Sequence, residues 1–359
     1  MFAHHFLERK ISMKNILSKL AVSSLVFVIF IVLSGFSWKE PNKDHKQLPP
    51  ESNKAFKIAM LFPGKSKDGG FMEAGLNGLL KAKEELGVQI SYVDEIKPEK
   101  DAIVAALREL AKKNPDLVIS HGGQGNAAAQ IVAKEYPKVK FVVTQGNVTG
   151  DNLSSYQVLQ EESAWLAGAA AGMLTKTNVV GHISGVKVTP GLNGRAAFAD
   201  GLKYTNPNAT FLTTFDGNQD DAALAKKTAE AEIKAGADII FTMLNAARTG
   251  AIEACREGGI SQIGNVREWD AVAPEVFIGS AIADSSQTVF KAIKDLTERT
   301  WKGGQVVEIG LSNPDAVRLS LYGSVPSEVK DKIAELATKI ENGEIHINLN
   351  FTGAEFPVQ

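Results

Sequence analysis

From Lys57 onward the chain alternates short apolar runs with amphipathic stretches of helical period, and the same alternation restarts after Trp165. Residues 57–62 (KIAMLF) predict a strand, and in residues 71–86 Met72, Leu76, Leu79, Leu80 and Leu86 share one helical face. A strand at 88–93 follows, then a second stripe made by Ile103, Val104, Leu107, Leu110 and Ala111. Strands at 117–120 and 141–144 flank a helix at 126–136. Such βαβα order requires a parallel sheet covered by helices on both faces.

The second round predicts strands at 180–184, 210–215, 239–243 and 262–265, separated by helices near 194–204, 220–235 and 250–258. A strand at 276–280, a helix at 285–301, a strand at 306–311 and a helix at 326–340 remain. These are too few for a third domain, so they complete the first two by crossing between them. Roughly 300 residues suffice for two separate cores. The expected fold is α/β: two doubly wound parallel-sheet lobes joined by crossovers. The first lobe is assigned 56–160 plus about 270–311, and the second 161–269 plus about 312–359.

Ahead of the lobes stands an apolar run at 20–33 (LAVSSLVFVIFIVL), flanked by Lys10, Lys14 and Lys19. It is shorter than the roughly 20 residues of a spanning helix, and it fits the core of an export signal. Gly35-Phe36-Ser37 supplies small residues at a cleavage site, whereas extension through Gly35 and Phe36 makes room for an uncleaved, tilted anchor. Residues 1–37 are therefore an export signal or a membrane anchor. Residues 38–55, charged and proline-containing over 38–52 (WKEPNKDHKQLPPES), form a linker. Both readings place the rest outside the cytoplasm, membrane-associated or secreted.

Charge and motif content exclude several functions. The chain carries 39 basic and 41 acidic side chains, and after residue 37 the balance is 35 to 40. A nucleic-acid binder would need a basic face. The lone cysteine, Cys255, rules out an internal disulfide and reads as a small buried apolar residue. Residues 59–66 (AMLFPGKS) match a permissive phosphate-loop pattern, but Met60, Leu61 and Phe62 belong to a strand and Pro63 has no N–H to offer a phosphate. There is no GxGxxG after a strand, no GxSxG and no HExxH, and the six histidines lack ligand spacing. No cofactor, metal or catalytic set is expected.

Open α/β sheets bind at the carboxyl ends of their strands, so two such lobes enclose a ligand cleft there. Four loops should line it: 63–71 (PGKSKDGGF), 120–126 (SHGGQGN), 185–193 (GVKVTPGLN) and 245–249 (NAART). Gly70, Phe71, His121, Gly122 and Asn245 are the cleft residues they nominate. The glycines of 120–126 stand just before a helix, where backbone N–H groups and the positive helix end face the cleft.

The chain resembles the basic membrane protein family of ABC-transporter substrate-binding lipoproteins, which includes purine-nucleoside receptors and Med-type competence regulators. The likeness spans about 57–311 and is strongest at 132–141 (VAKEYPKVKF), 162–177 (ESAWLAGAAAGMLTKT) and 236–241 (GADIIF). It implies the type I periplasmic-binding-protein fold, a nucleoside-like small-molecule ligand, an ABC permease partner and a monomer. Phe71 falls where nucleoside-binding members stack a ring on the base, and Asn126 falls at or next to a carboxylate that holds the ribose. Gln219 stands in place of a second stacking aromatic, Glu268 and Trp269 occupy an acidic and amide pair, and Ala283 replaces a lysine. Phe36 sits where the acylated cysteine of a lipoprotein would be. Two functions follow: solute capture for an importer, or a membrane-tethered Med-like regulator without a transport role.

Overall fold

The computed structural model describes residues 55–358, so the apolar run, Phe36 and nearly all of the linker lie outside the described residues. The chain first lays down β1 (Lys57–Leu61), α1 (Phe71–Leu86), β2 (Gln89–Val93) and α2 (Lys100–Ala111). It continues through β3 (Leu117–His121), α3 (Asn126–Glu135), β4 (Lys140–Thr144) and β5 (Leu153–Val158). A second series follows: α4 (Gln160–Leu174), β6 (Val179–Ser184), α5 (Thr189–Thr205), β7 (Thr210–Phe215) and α6 (Ala222–Lys234). Then come β8 (Ile239–Met243), α7 (Arg248–Gly258), β9 (Ser261–Val266) and β10 (Phe277–Ala283). The last elements are α8 (Ser286–Thr297), β11 (Val306–Ile309), β12 (Val317–Leu321) and α9 (Ser327–Glu341).

Two six-stranded sheets result, ordered β11-β5-β4-β3-β1-β2 and β12-β10-β9-β8-β6-β7. All pairings are parallel except β10 with β12. The doubly wound order thus occurs twice, and the α/β class read from the alternation holds. Strand periodicity explains the layering. Ile58 and Met60 pack toward α1 and α8, while Ala59 and Leu61 face α2 and α3, so each sheet sits between two helical layers. In the second sheet, Phe241 and Ile263 join α4, α5 and α9, and Ile240 joins α6 and α7.

Three details depart from the sequence reading. β5 (LSSYQV) lacks an apolar pattern, yet it is buried because its hydroxyls are satisfied: Ser154 donates to Lys302 O, Ser155 to Val148 O, and Tyr156 to Asp295 Oδ2. β12 was also unpredicted; it is an antiparallel cover on β10. β10 itself belongs to the second sheet, between β9 and β12, so the chain returns to the first lobe only at α8, not near residue 270. Crossings between lobes therefore fall at β5 to α4, β10 to α8, and β11 to β12.

The carboxyl-terminal stretch lies on the free edge of β7. Phe356 N–H donates to Thr213 O at 2.8 Å, and Glu355 pairs with Lys187 at 2.8 Å and Arg195 at 3.4 Å. A covered edge cannot template pairing with another chain. Cys255 is fully buried, and burial pushes its thiol up to about 12, which leaves it unreactive. Among the described residues no helix is long and apolar enough to cross a membrane.

Candidate functional site

In the first sheet β1 lies between β2 and β3, and in the second β6 lies between β7 and β8. The chain leaves β1 and β6 in one direction and returns on the other side, so each sheet has a switch point where adjacent loops diverge and leave a crevice. The loops after β1, β3, β6 and β8 start at these two points, and they are the four nominated from the sequence.

Two of them meet across the cleft. A methyl group built on Gly70 would lie 2.8 Å from Asn245 Oδ1, so the two loops touch across the cleft and any side chain at position 70 must displace the Asn245 amide. Beside the contact is a cavity of about 350 Å³. The first lobe lines it with Gly69, Gly70 and Glu73, the second with Val266, Arg267, Glu268 and Arg318, and the crossovers with Asp284 and Asp315. Gly70→Val is expected to hold the lobes apart. Small-angle scattering should show a larger radius of gyration, and solute binding should weaken by roughly tenfold or more. A scattering profile identical to that of the parent protein would show that this contact does not limit closure.

The first-lobe wall is built around a buried imidazole. Asp68 fixes the start of α1 by accepting N–H bonds from Gly70 at 2.8 Å and Glu73 at 3.1 Å, and this delivers Phe71 to the cleft end of the helix. The Phe71 ring stacks on His121 with centroids 4.1 Å apart and planes inclined by 15°. His121 Nε2 lies 2.9 Å from Phe71 O, which can only accept, so Nε2 carries the proton. Nδ1 therefore accepts from Thr144 Oγ1 at 2.7 Å, and that hydroxyl in turn accepts from Gly122 N–H at 3.2 Å. Burial pushes the imidazole down to about 4, so it is neutral at physiological pH. His121 has no exposed surface. Nominated as a cleft residue, it instead supports Phe71 from behind and ties the loops after β1, β3 and β4 together.

Asn126 opens α3; its Nδ2 donates to Asn147 Oδ1 at 2.9 Å, and its buried Oδ1 has no partner among the described residues. Gly122 takes φ of 101°, a turn that a side chain would strain. On the second lobe, Gln219 acts through its backbone: its carbonyl accepts from Asn245 N and Ala247 N, each at 3.1 Å, and so joins the loops after β7 and β8.

Glu268 is held by Arg318 at 2.8 Å, Ser320 Oγ at 2.6 Å and Tyr322 Oη at 2.9 Å. Burial raises its pKa, but these three donors outweigh that and keep it below the ordinary carboxylate value. Trp269 is 8 % exposed; its indole N–H donates to Asn265 O at 2.9 Å and its ring stacks on Phe277. It packs the wall rather than offering a free face. Ala283 is buried at the end of β10.

Two residues here carry no sequence signal of their role. Arg248, inside the nominated 245–249 loop, is buried, and Val266 at the end of β9 has φ of 71°. An arginine in the first turn of a helix carries no sequence signal of burial, and no pattern marks a left-handed valine.

Residues 55–350 match the family described as ABC transporter substrate-binding protein, PnrA-like. Among curated proteins the chain is similar to the transcriptional activator protein med of Bacillus subtilis (strain 168), with 26% identity over 81% of this chain and 90% of that protein. It is 25% identical to basic membrane protein A of Borreliella burgdorferi, covering 82% of this chain and 88% of the relative. A purine-binding protein of Brucella abortus (strain 2308) shares 24% identity over 83% of each. Among solved structures, an ABC-transporter solute-binding protein of Aeropyrum pernix K1 superposes with a TM-score of 0.72 at 22% identity, over 82% of this chain and 94% of that one. A transcriptional activator of the comK gene from Bacillus halodurans gives 0.70 at 20% identity, over 81% and 100%. These likenesses establish the type I solute-binding fold.

Proposed function

The chain belongs to the PnrA-like family of ABC-transporter substrate-binding proteins, and from that premise we propose that it captures a small polar, nucleoside-like solute between its lobes, outside the cytoplasm, for an ABC permease. The observation that carries this reading is the convergence of the switch-point loops, with Gly70 against Asn245 and the Phe71 ring stacked on His121 next to the cavity-lining Gly70. A flat ring there suits stacking on a base. The purine-binding relative supports the same ligand class. The segment at 20–33 would export the protein or tether it.

Thermal-shift screening against nucleosides, bases, amino acids and sugars tests the reading, because a ligand at 100 times its Kd adds about 2.7 kcal/mol to stability. A rise confined to nucleosides or bases is expected, and silence across the whole panel would remove the transport role. Phe71→Ala should then weaken binding by about 1–3 kcal/mol, roughly tenfold to a hundredfold, and exceed its own cost in folding stability. Equal losses in the two measurements would reduce Phe71 to core packing.

A second reading is favoured by the likeness to the transcriptional activator med and by Gln219 and Ala283 where nucleoside-binding members carry an aromatic and a lysine. In it the chain is a tethered regulator without a permease. A gene neighbourhood lacking permease and ATPase genes, together with a silent ligand panel, would select this reading.

A further inference from the structure

Arg248 is 1 % exposed, and no carboxylate lies within 4.0 Å of it among the described residues. A buried guanidinium without a counter-ion must be satisfied by neutral acceptors. Nη1 donates to Thr242 O at 3.0 Å and Thr242 Oγ1 at 2.5 Å, and Nη2 donates to Leu244 O at 2.6 Å and to Asn265 Oδ1. Its Cζ lies 4.3 Å from the centre of the Trp269 ring. One side chain thus grips the ends of both β8 and β9.

The grip falls on an unusual turn. Asn265, held by Arg248 through its side chain, also accepts at its carbonyl from Trp269 Nε1 and Arg267 N–H, each at 2.9 Å. The next residue, Val266, has φ of 71°, where a β-branched residue is an outlier that persists only if its surroundings impose it. Val266, Arg267 and Glu268 then line the interlobe cavity.

We propose that Arg248 is the positioning residue of the second-lobe wall: it clamps Asn265 so that Val266 stays left-handed, and that turn sets Arg267 and Glu268 on the cleft. The proposal rests on the cleft being the solute site. Arg248 does not touch the solute; it acts through the loop.

The test combines hydrogen exchange and equilibrium unfolding of the full chain carrying Arg248→Met, Arg248→Lys, Val266→Gly and the double Arg248→Met/Val266→Gly. In Arg248→Met, amides of 265–269 should exchange at least on the order of tenfold faster than the change in global stability explains. Val266→Gly should raise the folding constant on the order of tenfold in the parent protein by releasing the strain. In the Arg248→Met background, where the turn has already relaxed, it should bring no gain. Additive effects of the two substitutions, or unchanged exchange at 265–269, would overturn the proposal. Arg248→Lys keeps the charge but cannot reach both strand ends, so it should show the same loop exchange if Arg248→Met does not fold. Titration with a panel of nucleosides and bases supplies a separate arm. Should the parent protein bind none of them, the nucleoside reading falls while exchange and unfolding still decide the role of Arg248.

Discussion

Gly201→Ala is expected to lower the melting temperature, although alanine is the better helix former by about 1 kcal/mol. Gly201 on α5 and Gly168 on α4 form a contact in which the two helices touch backbone to backbone. A methyl group on Gly201 would overlap the carbonyl of Trp165, and one on Gly168 would overlap that of Phe198. Backbone atoms cannot rotate aside as a side-chain tip can, so the helices must separate along their interface. The fully buried Trp165 and Phe198 would lose packing with them. We expect a net loss of about 3 kcal/mol, roughly 6–12 °C in Tm by differential scanning calorimetry. An unchanged or higher Tm would mean that helix propensity outweighs the contact.

Glu232→Gln is expected to stabilise the protein at neutral pH, by about 1–3 kcal/mol. Glu232, on α6, is fully buried; its Oε1 accepts from Thr214 Oγ1 at 3.3 Å, and its Oε2 has no partner among the described residues. Burial raises its pKa well above 4.5, and the Thr214 hydroxyl and the His182 backbone N–H offset only part of this. The folded protein therefore holds this proton more tightly than the unfolded chain does. Its contribution is most favourable below pH 4.5 and is lost as pH rises from there through the folded-state value. Glutamine removes that loss, so its advantage should be largest near pH 7.5 and should shrink toward pH 4.5. His121 and His182, pushed by burial down to about 4 and about 3, act with the opposite sign: they cost stability as pH falls below 6.5. Both proteins share them, so they cancel in the difference between denaturation curves at each pH. A constant or reversed difference would sink the assignment of Glu232 as an uncompensated buried acid.

Much of the architecture was legible because strand and helix periods report which face is buried. Ile58 and Met60 against Ala59 and Leu61 announce a strand buried on both faces, and the stripe from Ile103 to Ala111 announces α2. β5 carries no strand pattern because its burial rests on hydroxyl partners as distant in sequence as Asp295 and Lys302. The place of β10 was equally hidden: an apolar run says that a strand is buried, not which sheet accepts it.

The cleft divides along the same line. Glycines and strand ends located the switch-point loops, since backbone direction and turn chemistry are local. Side-chain direction at those ends is not local. His121 and Trp269 turn inward, each satisfied by its neighbours, while Gly70 and Asn245 meet across the cleft. The sequence by itself determined the doubled α/β winding and the loops at its carboxyl ends, because hydrophobic period is a property of neighbouring residues. Only the tertiary structure decided which of their residues face the cleft and which, like His121 and Arg248, hold the wall from behind. Burial and hydrogen-bond satisfaction there depend on partners supplied by other strands.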